Sequence, residues 1–535
     1  MSGSNTAAIL ETLSVDGPTA DRFDSRTVTY VRQMGVPQRT AATTEFAAFV
    51  QDSWRIRRAL TMTYGVRWEG QWHPSPEAHN DDLVNRLAGF TFPSGRQVDP
   101  TSIPDALAQV APRVGLAWDP RNDAKTVVRG NAGLYYARSP GIIFAQPLAN
   151  FGSPPVDLVV QLPFEVPADN PNQTIYQQLA LIGIDLNRTP LGRLPIITPE
   201  QIEQVRHALG LSDQYSGAQL FVIDPEFRNP RTFQWGFGIE RELGSGLRVG
   251  ADYSDLETDH LERNVDLNLP LPVVRTGDPA RRPFFGLRDG GQQRPIASLG
   301  QVVVREATAR SHYRALTLRT QWHGRRGQVY GFYILSKSHS DDDNEADVGS
   351  MTLENPFNLA PEYSDARLDR RHQASGGWVL NLPYGVEVAG NFQLRSGLPI
   401  DATFGGDANE SVSGADRPYH APGVPFTRNL FRNRSTSSVN LHLLKNMGLG
   451  GSRRLSLVVD VFNLFNVSGI QLAGSEVTNY CGRPVPADCG FDAPSNPNFL
   501  QIIDRDPASA TFGEYLLNNI AGEPRQIQLG VRILF

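Results

Sequence analysis

From Leu60 to Glu69 the chain alternates: Leu60, Met62, Tyr64, Val66 and Trp68 are apolar or aromatic, with Thr61, Thr63, Gly65, Arg67 and Glu69 between them. A period of two residues is that of a β-strand with one apolar and one polar face. The segment before it carries Phe46, Ala48, Val50 and Trp54 in the same phase, broken at Asp52, and a short link at residues 55–58 makes the pair a hairpin. The unit recurs along the chain. Val114, Leu116 and Trp118 run into a turn at residues 120–125, and Val128, Gly130, Ala132, Leu134 and Tyr136 leave it. Phe233, Trp235, Phe237 and Ile239 are followed, across ELGSG, by Leu247, Val249, Ala251 and Tyr253. Leu316, Leu318 and Trp322 precede HGRRG, after which Tyr330, Phe332 and Ile334 form the apolar set. Another pair folds about Pro383 to Gly385, and Val439, Leu441 and Leu443 pair across GLGGS with Leu455, Leu457, Val459 and Val461. The last strand carries Ile527, Leu529, Val531, Ile533 and Phe535. Gly-rich turns of a few residues between alternating segments are hairpin signals.

Between hairpins the links are long, at about residues 70–111, 138–230, 256–312, 339–371, 396–435 and 466–524. Short and long links alternate, and each link changes the end of the sheet. All short turns should therefore lie at one end and all long loops at the other. Outer-membrane barrels have this sidedness, with short periplasmic turns and long extracellular loops, whereas sandwiches and propellers scatter their long loops. Leu60 to Trp68 spans about 26 Å at ~3.3 Å per residue, or about 20 Å vertically at a tilt of roughly 40°, which suits an apolar band about 25 Å tall. The expected fold is all-β, an antiparallel transmembrane outer-membrane β-barrel over residues 43–535, with about 13 strands assignable and a fourteenth if Thr27 to Val31 is one. Residues 1–42 are expected to be a poorly structured start or the remnant of an upstream strand or loop.

Composition fits this picture. The 535 residues are 40% hydrophobic, with a mean hydropathy of -0.32. No apolar run is long enough for a membrane-spanning helix, but alternating strands average to a hydrophilic sequence and escape that test. A net charge of -6 and a pI near 6.0 argue against a nucleic-acid partner. Lys125, Lys337 and Lys445 are the only lysines, so the cations are almost all Arg. Arg forks suit phosphates and carboxylates, and compositional bias of the genome is the plainer explanation.

The aromatics sort by strand end. Trp54, Trp118 and Trp322 fall where a strand meets a short turn, and Trp68, Tyr136, Trp235, Tyr253 and Tyr313 where one meets a long loop. Two aromatic belts are what two membrane interfaces select; caps on the ends of a sandwich core are the alternative. The alternating stretch Ile527, Leu529, Val531, Ile533 and Phe535 ends on an aromatic, resembling the recognition signal of the barrel assembly machinery.

Seven segments, in consistent order, resemble the barrel of TonB-dependent receptors, in particular the Oar-like group. They are residues 43–69, 111–138, 313–344, 355–372, 394–404, 458–466 and 524–535, and include TTEFAAFVQDSW, NPFNLAPEYSDARLDRRH and VVDVFNLFN. Complete members place a signal peptide, a carboxypeptidase-regulatory-like domain, a TonB box and a plug ahead of a barrel of about 22 strands. None of these leading parts is recognisable here, and the start has neither a basic n-region nor an apolar h-region. The resemblance thus implies the C-terminal portion of such a receptor, a fragment rather than a self-sufficient smaller barrel. It implies a wall and ligand-facing loops for uptake of an unidentified substrate, with TonB acting only through the missing plug. Outer-membrane lipid and lipopolysaccharide, the assembly machinery and an extracellular ligand are the implied partners. A surface barrel of structural or adhesive role, or a passive pore, is the alternative.

Candidate sites are few. Cys481 and Cys489, in a Gly- and Pro-rich loop facing an oxidising exterior, are expected to form a disulfide. The acidic run Asp341, Asp342 and Asp343, and the group Asp407, Asn409, Glu410 and Asp416, offer oxygens of the kind Ca²⁺ takes, though neither has EF-hand spacing and solvated loops are the plainer reading. Arg367, Arg370 and Arg371 could meet an anion or lipopolysaccharide phosphates, or form a rim network with Asp365 and Asp369. Thr198 to Gly210 has a capping box, Thr198 with Gln201, and an apolar stripe of Ile202, Val205 and Leu209, which predicts a helix inside the longest loop. No HExxH, CxxC or phosphate-loop motif occurs, and GFGIER has Arg241 where a dinucleotide fingerprint needs its third glycine, so no enzymatic activity and no cofactor are expected.

Overall fold

The structure, a computed structural model, describes residues 30–34 and 42–535 apart from 76–79, 152–157, 167–169, 191–192, 194, 212–216, 289–290, 344–352, 412–415, 452, 473, 483–488, 510, 517–518 and 521–522. Most of the expected loose start, residues 1–42, lies outside the described residues.

Thirteen strands build one wall: β1 Thr44–Arg57, β2 Leu60–Trp72, β3 Ala106–Trp118, β4 Thr126–Tyr136, β5 Arg231–Gly244, β6 Leu247–Asp266, β7 Val302–Gly324, β8 Gly327–Ser340, β9 His372–Leu382, β10 Val386–Arg395, β11 Thr436–Gly450, β12 Arg453–Phe462 and β13 Gln526–Leu534. Each pairs antiparallel with the next in the chain. Among the described residues β13 and β1 are not paired, so the wall is an open sheet with these two strands at its edges. Short turns close β1–β2, β3–β4, β5–β6, β7–β8, β9–β10 and β11–β12, and the long connections all leave from the opposite end. The β5–β6 turn shows the chemistry: Ser245 and Gly246 both have positive φ, 54° and 76°. That is the backbone of a type I′ hairpin. A side chain on Gly246 would strike the carbonyl of His323.

The register gives the wall two faces. Met62, Tyr64, Val66 and Trp68 of β2 sit beside Leu116, Val114, Pro112 and Val110 of β3. The same face continues through Phe237, Tyr253, Leu318, Phe392, Leu443 and Val459 to Ile527, Leu529, Val531 and Ile533. These side chains are exposed or half-buried, Leu529 by 79% and Phe237 by 54%. The opposite face carries Arg67, Arg113, Asn131, Gln234, Asp252, Arg319, Gln393, Asn440 and Gln528.

Three expectations need correction. Tyr330, Phe332 and Ile334 of β8 pair with Gln321, Arg319 and Thr317, so they lie on the polar face, and Val329, Tyr333 and Leu335 take the apolar one. Both sets are hydrophobic, and alternation cannot tell which is which. Of the segment Thr27 to Val31, residues 27–29 lie outside the described residues; Tyr30 and Val31 belong to Tyr30–Met34, which pairs with Leu158–Leu162 among the long connections and not with a wall strand. Finally, β6 and β7 do not end where the long loop was expected, near residues 256 and 312. Their ladder continues, through irregularities between Glu306 and Ser311, to Asp266 opposite Val303. Alternation fails there because both faces are buried: Val302 to Val304 is a continuous apolar run, and Glu262, Arg263, Asn264 and Asp266 are buried polar groups with no period of two.

Candidate functional site: the loop cap and its charged cleft

The long connections fold into a cap with its own core. Tyr30–Met34, Leu158–Leu162 and Ala218–Ile223 form a small sheet, whose last strand joins β7 in parallel at Val302 to Arg305. Around it pack the helices α1 Asp81–Leu87, α2 Ile142–Phe151, α3 Ile175–Ala180 and α4 Pro199–Ala208. Leu83, Leu87, Phe151, Leu179, Ile202, Val205, Leu220 and Val302 are fully buried there. Each such side chain contributes roughly 1.5–3 kcal/mol relative to leaving it in water. In α4 the capping box is formed in both directions, with Thr198 accepting from Gln201 N–H and the Gln201 side chain accepting from Thr198 N–H. The second half of the cap, from the connections after β8, β10 and β12, gathers Phe404, Phe426, Tyr480, Cys481 and Cys489. The halves are stitched by Phe285 N–H to the Asn409 carbonyl at 2.7 Å, and by Arg282 over the rings of Phe404 and Tyr419.

Buried charges run through both halves. Arg294 meets Glu165 at 2.8 Å and Asp266 at 3.0 Å, and Arg305, with no exposed side-chain surface, meets Glu262 at 2.9 Å. Arg263 pairs with Asp341 at 2.8 Å. In the second half Arg417 joins Glu362, and Arg428 joins Asp343 at 3.0 Å. Glu354 accepts from the Tyr419 hydroxyl at 2.7 Å and from Arg417 N–H at 2.8 Å. Burial still pushes its carboxyl up to about 7. Asp416 is also raised well above its ordinary range, by burial and by the neighbouring acids Asp407 and Glu354. A buried pair is costly to desolvate and costlier to break, so such networks hold loops in one arrangement.

A cleft of about 930 Å³ opens between the cap segments and the upper ends of β6 and β7. Arg96 spans it, bonded to Asp224 and Glu306, and Arg310 stacks on Tyr363 at 4.7 Å. Its lining mixes both charge signs with Phe357 and Tyr363, a surface suited to a polar solute. None of these residues formed a motif in the sequence, since Arg96, Asp224 and Tyr363 come from three separate connections and Glu306 from β7.

Comparison with known proteins decides the family. A profile described as the outer membrane beta barrel domain matches residues 17–427. The chain belongs to this outer-membrane β-barrel family. It is 22% identical over 525 residues to the TonB-dependent transporter Oar of Myxococcus xanthus, covering 94% of this chain and 44% of that protein. The chain thus spans less than half the length of this relative. Among solved structures, the outer membrane transporter YddB of Escherichia coli aligns with 84% of this chain and 44% of its own, at 10% identity and a TM-score of 0.40. The FrpB iron transporter of Neisseria meningitidis aligns with 92% of this chain and 46% of its own, at the same identity and score. Neither structural likeness is close enough to bear on function.

In this outer-membrane barrel the apolar face is the one that meets lipid. Trp54, Trp68, Trp118, Tyr136, Trp235, Tyr253 and Trp322 stand on it. Tyr313 does not: opposite Leu256 and one residue out of phase with Leu316, it sits on the polar face. Ile527, Leu529, Val531 and Ile533 project from the edge strand β13, and Phe535 is 89% exposed. Cys481 and Cys489 are joined by a disulfide, S–S 2.08 Å.

The acidic groups are bonded to cations and to backbone N–H groups. Asp341 faces Arg263 and accepts from Arg310 N–H, Asp342 lies near Arg263, and Asp343 binds Arg428 and Asn429. Asp407 faces Arg288 at 3.3 Å, Asn409 and Asp407 accept from Ser411 N–H, Glu410 accepts from Arg288 N–H, and Asp416 accepts from Asn409 N–H. Among the described residues no three His, Cys, Asp or Glu are arranged to hold a metal. At the rim, Asp365 and Asp369 bind Arg432, which the sequence did not flag, and not Arg367, Arg370 or Arg371. Arg367 and Arg371 are exposed, and Arg370 donates to the Ser396 carbonyl at 2.7 Å.

Proposed function

We propose that the chain supplies part of the wall and the ligand-facing cap of an outer-membrane receptor that takes up a solute through coupling to TonB. The observation that carries this reading is a single sheet, apolar on one side and lined with Arg, Gln and Asn on the other, crowned at one end by a folded, cleft-bearing cap. TonB reaches this wall only through a plug, so these residues alone should not bind it. The terminal aromatic is assigned to assembly: removing Phe535 should lower the amount of protein reaching the outer membrane.

Whole-cell experiments test the proposal. The protein should fractionate with the outer membrane, migrate faster on a gel before heating than after, and expose its cap to external protease. Loss of the gene and loss of TonB should then produce the same growth defect when a nutrient is limiting. A surface-attachment defect that does not depend on TonB would replace transport with the adhesive role, which the size of the folded cap also suits.

A further inference from the structure

The buried arginines of the cap have carboxylate partners: Arg263, Arg294, Arg305, Arg417 and Arg428 each meet at least one acid. Two arginines at the cap end of the polar face break this rule. Arg370, just before β9, and Arg395, the last residue of β10, are half-buried, and among the described residues neither has an acid within ion-pairing distance. They line a cavity of about 470 Å³ walled by β10 to β13. The two are near neighbours: burial first, and the Arg395 charge second, lower the pKa of Arg370.

The rest of the lining is uncharged apart from Glu523, which accepts from the Gln526 amide at 2.9 Å. Register directs Gln393, Asn440, Gln528 and the ring of Phe462 to the polar face on which the cavity opens. Phe462 is 40% exposed, a large apolar ring beside the amides of the lining. A second cavity of about 400 Å³, of mixed lining, continues down the wall and shares Asn440 and Phe462 with the first.

We propose that Arg370 and Arg395 bind the oxyanion of a hydroxyl-rich solute, a sugar bearing a carboxylate or a phosphate, whose body lies on Phe462 and exchanges hydrogen bonds with the amides. Paired guanidinium groups lacking an internal counter-ion supply charge-assisted bonds to such an anion. Amide side chains suit hydroxyls as both donors and acceptors, and the cavity has room for a mono- or disaccharide. The inference rests on reading this face as the solute-facing side of the barrel.

Calorimetry on the purified full chain in detergent tests it, with glucuronate, glucose 6-phosphate, glucose and inorganic phosphate as probes. At least one anionic sugar should bind more tightly than both glucose and inorganic phosphate, and its identity separates carboxylate from phosphate. Arg395→Ala and Arg370→Ala should each weaken that binding by about tenfold or more, the cost of one charge-assisted contact. Arg395→Lys should restore part of it, and Arg121→Ala, in a turn at the far end, should change nothing. Equal binding by the wild type and the two alanine variants, a preference for glucose or bare phosphate, or no binding at all would overturn the site. Heat-modifiable migration of the same preparations confirms that each variant is folded. A chain that fractionates with the outer membrane yet binds none of the probes would remove this inference and leave the barrel untouched.

Discussion

The wall and the cap solve opposite problems with the same residues. In the wall, Leu318, Phe237 and Leu529 stand out from the sheet because the solvent they meet is hydrocarbon, and the polar side chains take the inner face. In the cap, Leu179, Phe151 and Ile202 are buried to the last square ångström because their solvent is water. Hydrophobicity therefore says nothing about burial until the surrounding medium is known. The two regions should respond in opposite ways to the same kind of substitution.

The largest effect is expected in the cap. Phe151→Ala, at the end of α2, removes a fully buried ring whose loss costs ~3–5 kcal/mol. Hydrogen exchange should speed across the cap while the heat-modifiable migration of the wall persists; simultaneous loss of both would mean that the regions are not separable. Next comes the wall. Leu318→Arg on the apolar face should cost about 2–4 kcal/mol in the bilayer, whereas Thr317→Arg, its neighbour on the polar face, should still assemble. Equal effects of the two would break the assignment of faces.

Smaller effects sharpen the comparison within the cap. Replacing Cys481 and Cys489 together by Ser opens a loop with a sequence separation of 8, for a loss of roughly 2.5 kcal/mol, and external protease should cut there first. The smallest effect concerns pH. Because the folded carboxyl of Glu354 titrates near 7 instead of its ordinary 4.5, the folded cap holds a proton there that the unfolded chain releases. Its stabilising share is full below pH 4.5 and is lost as pH rises toward 7, by at most about 2 kcal/mol between pH 5 and 7. Exchange in residues 353–432 should quicken over that range, and Glu354→Gln should flatten the dependence.

Sequence pattern revealed the wall because membrane strands write their two solvents into every second residue. It failed at β8, where Val329, Tyr333 and Leu335 compete with Tyr330, Phe332 and Ile334 and only the partner strand decides. The capping box of α4 was legible because its chemistry is local. The pairs Arg417 with Glu362, Arg96 with Asp224 and Arg432 with Asp369 were not, since each joins residues more than 50 positions apart. Arg370 was visible as part of a basic run; its relation to Arg395 needed the fold.

The long β6–β7 ladder has a mechanical consequence. It rises from the wall into the cap without a break in the chain, and Ala218–Ile223 is bonded along its upper end. Backbone hydrogen bonds resist bending far better than a flexible linker does, so this half of the cap is a mast stepped in the hull and should move with the wall, any give falling at the irregularities between Glu306 and Ser311. In the other half, ion pairs such as Arg428 with Asp343 and Arg432 with Asp369 join the connections to one another rather than to a wall strand, and the backbone ladder to the wall is short, Ser364 and Asp365 beside Ser340 and His339.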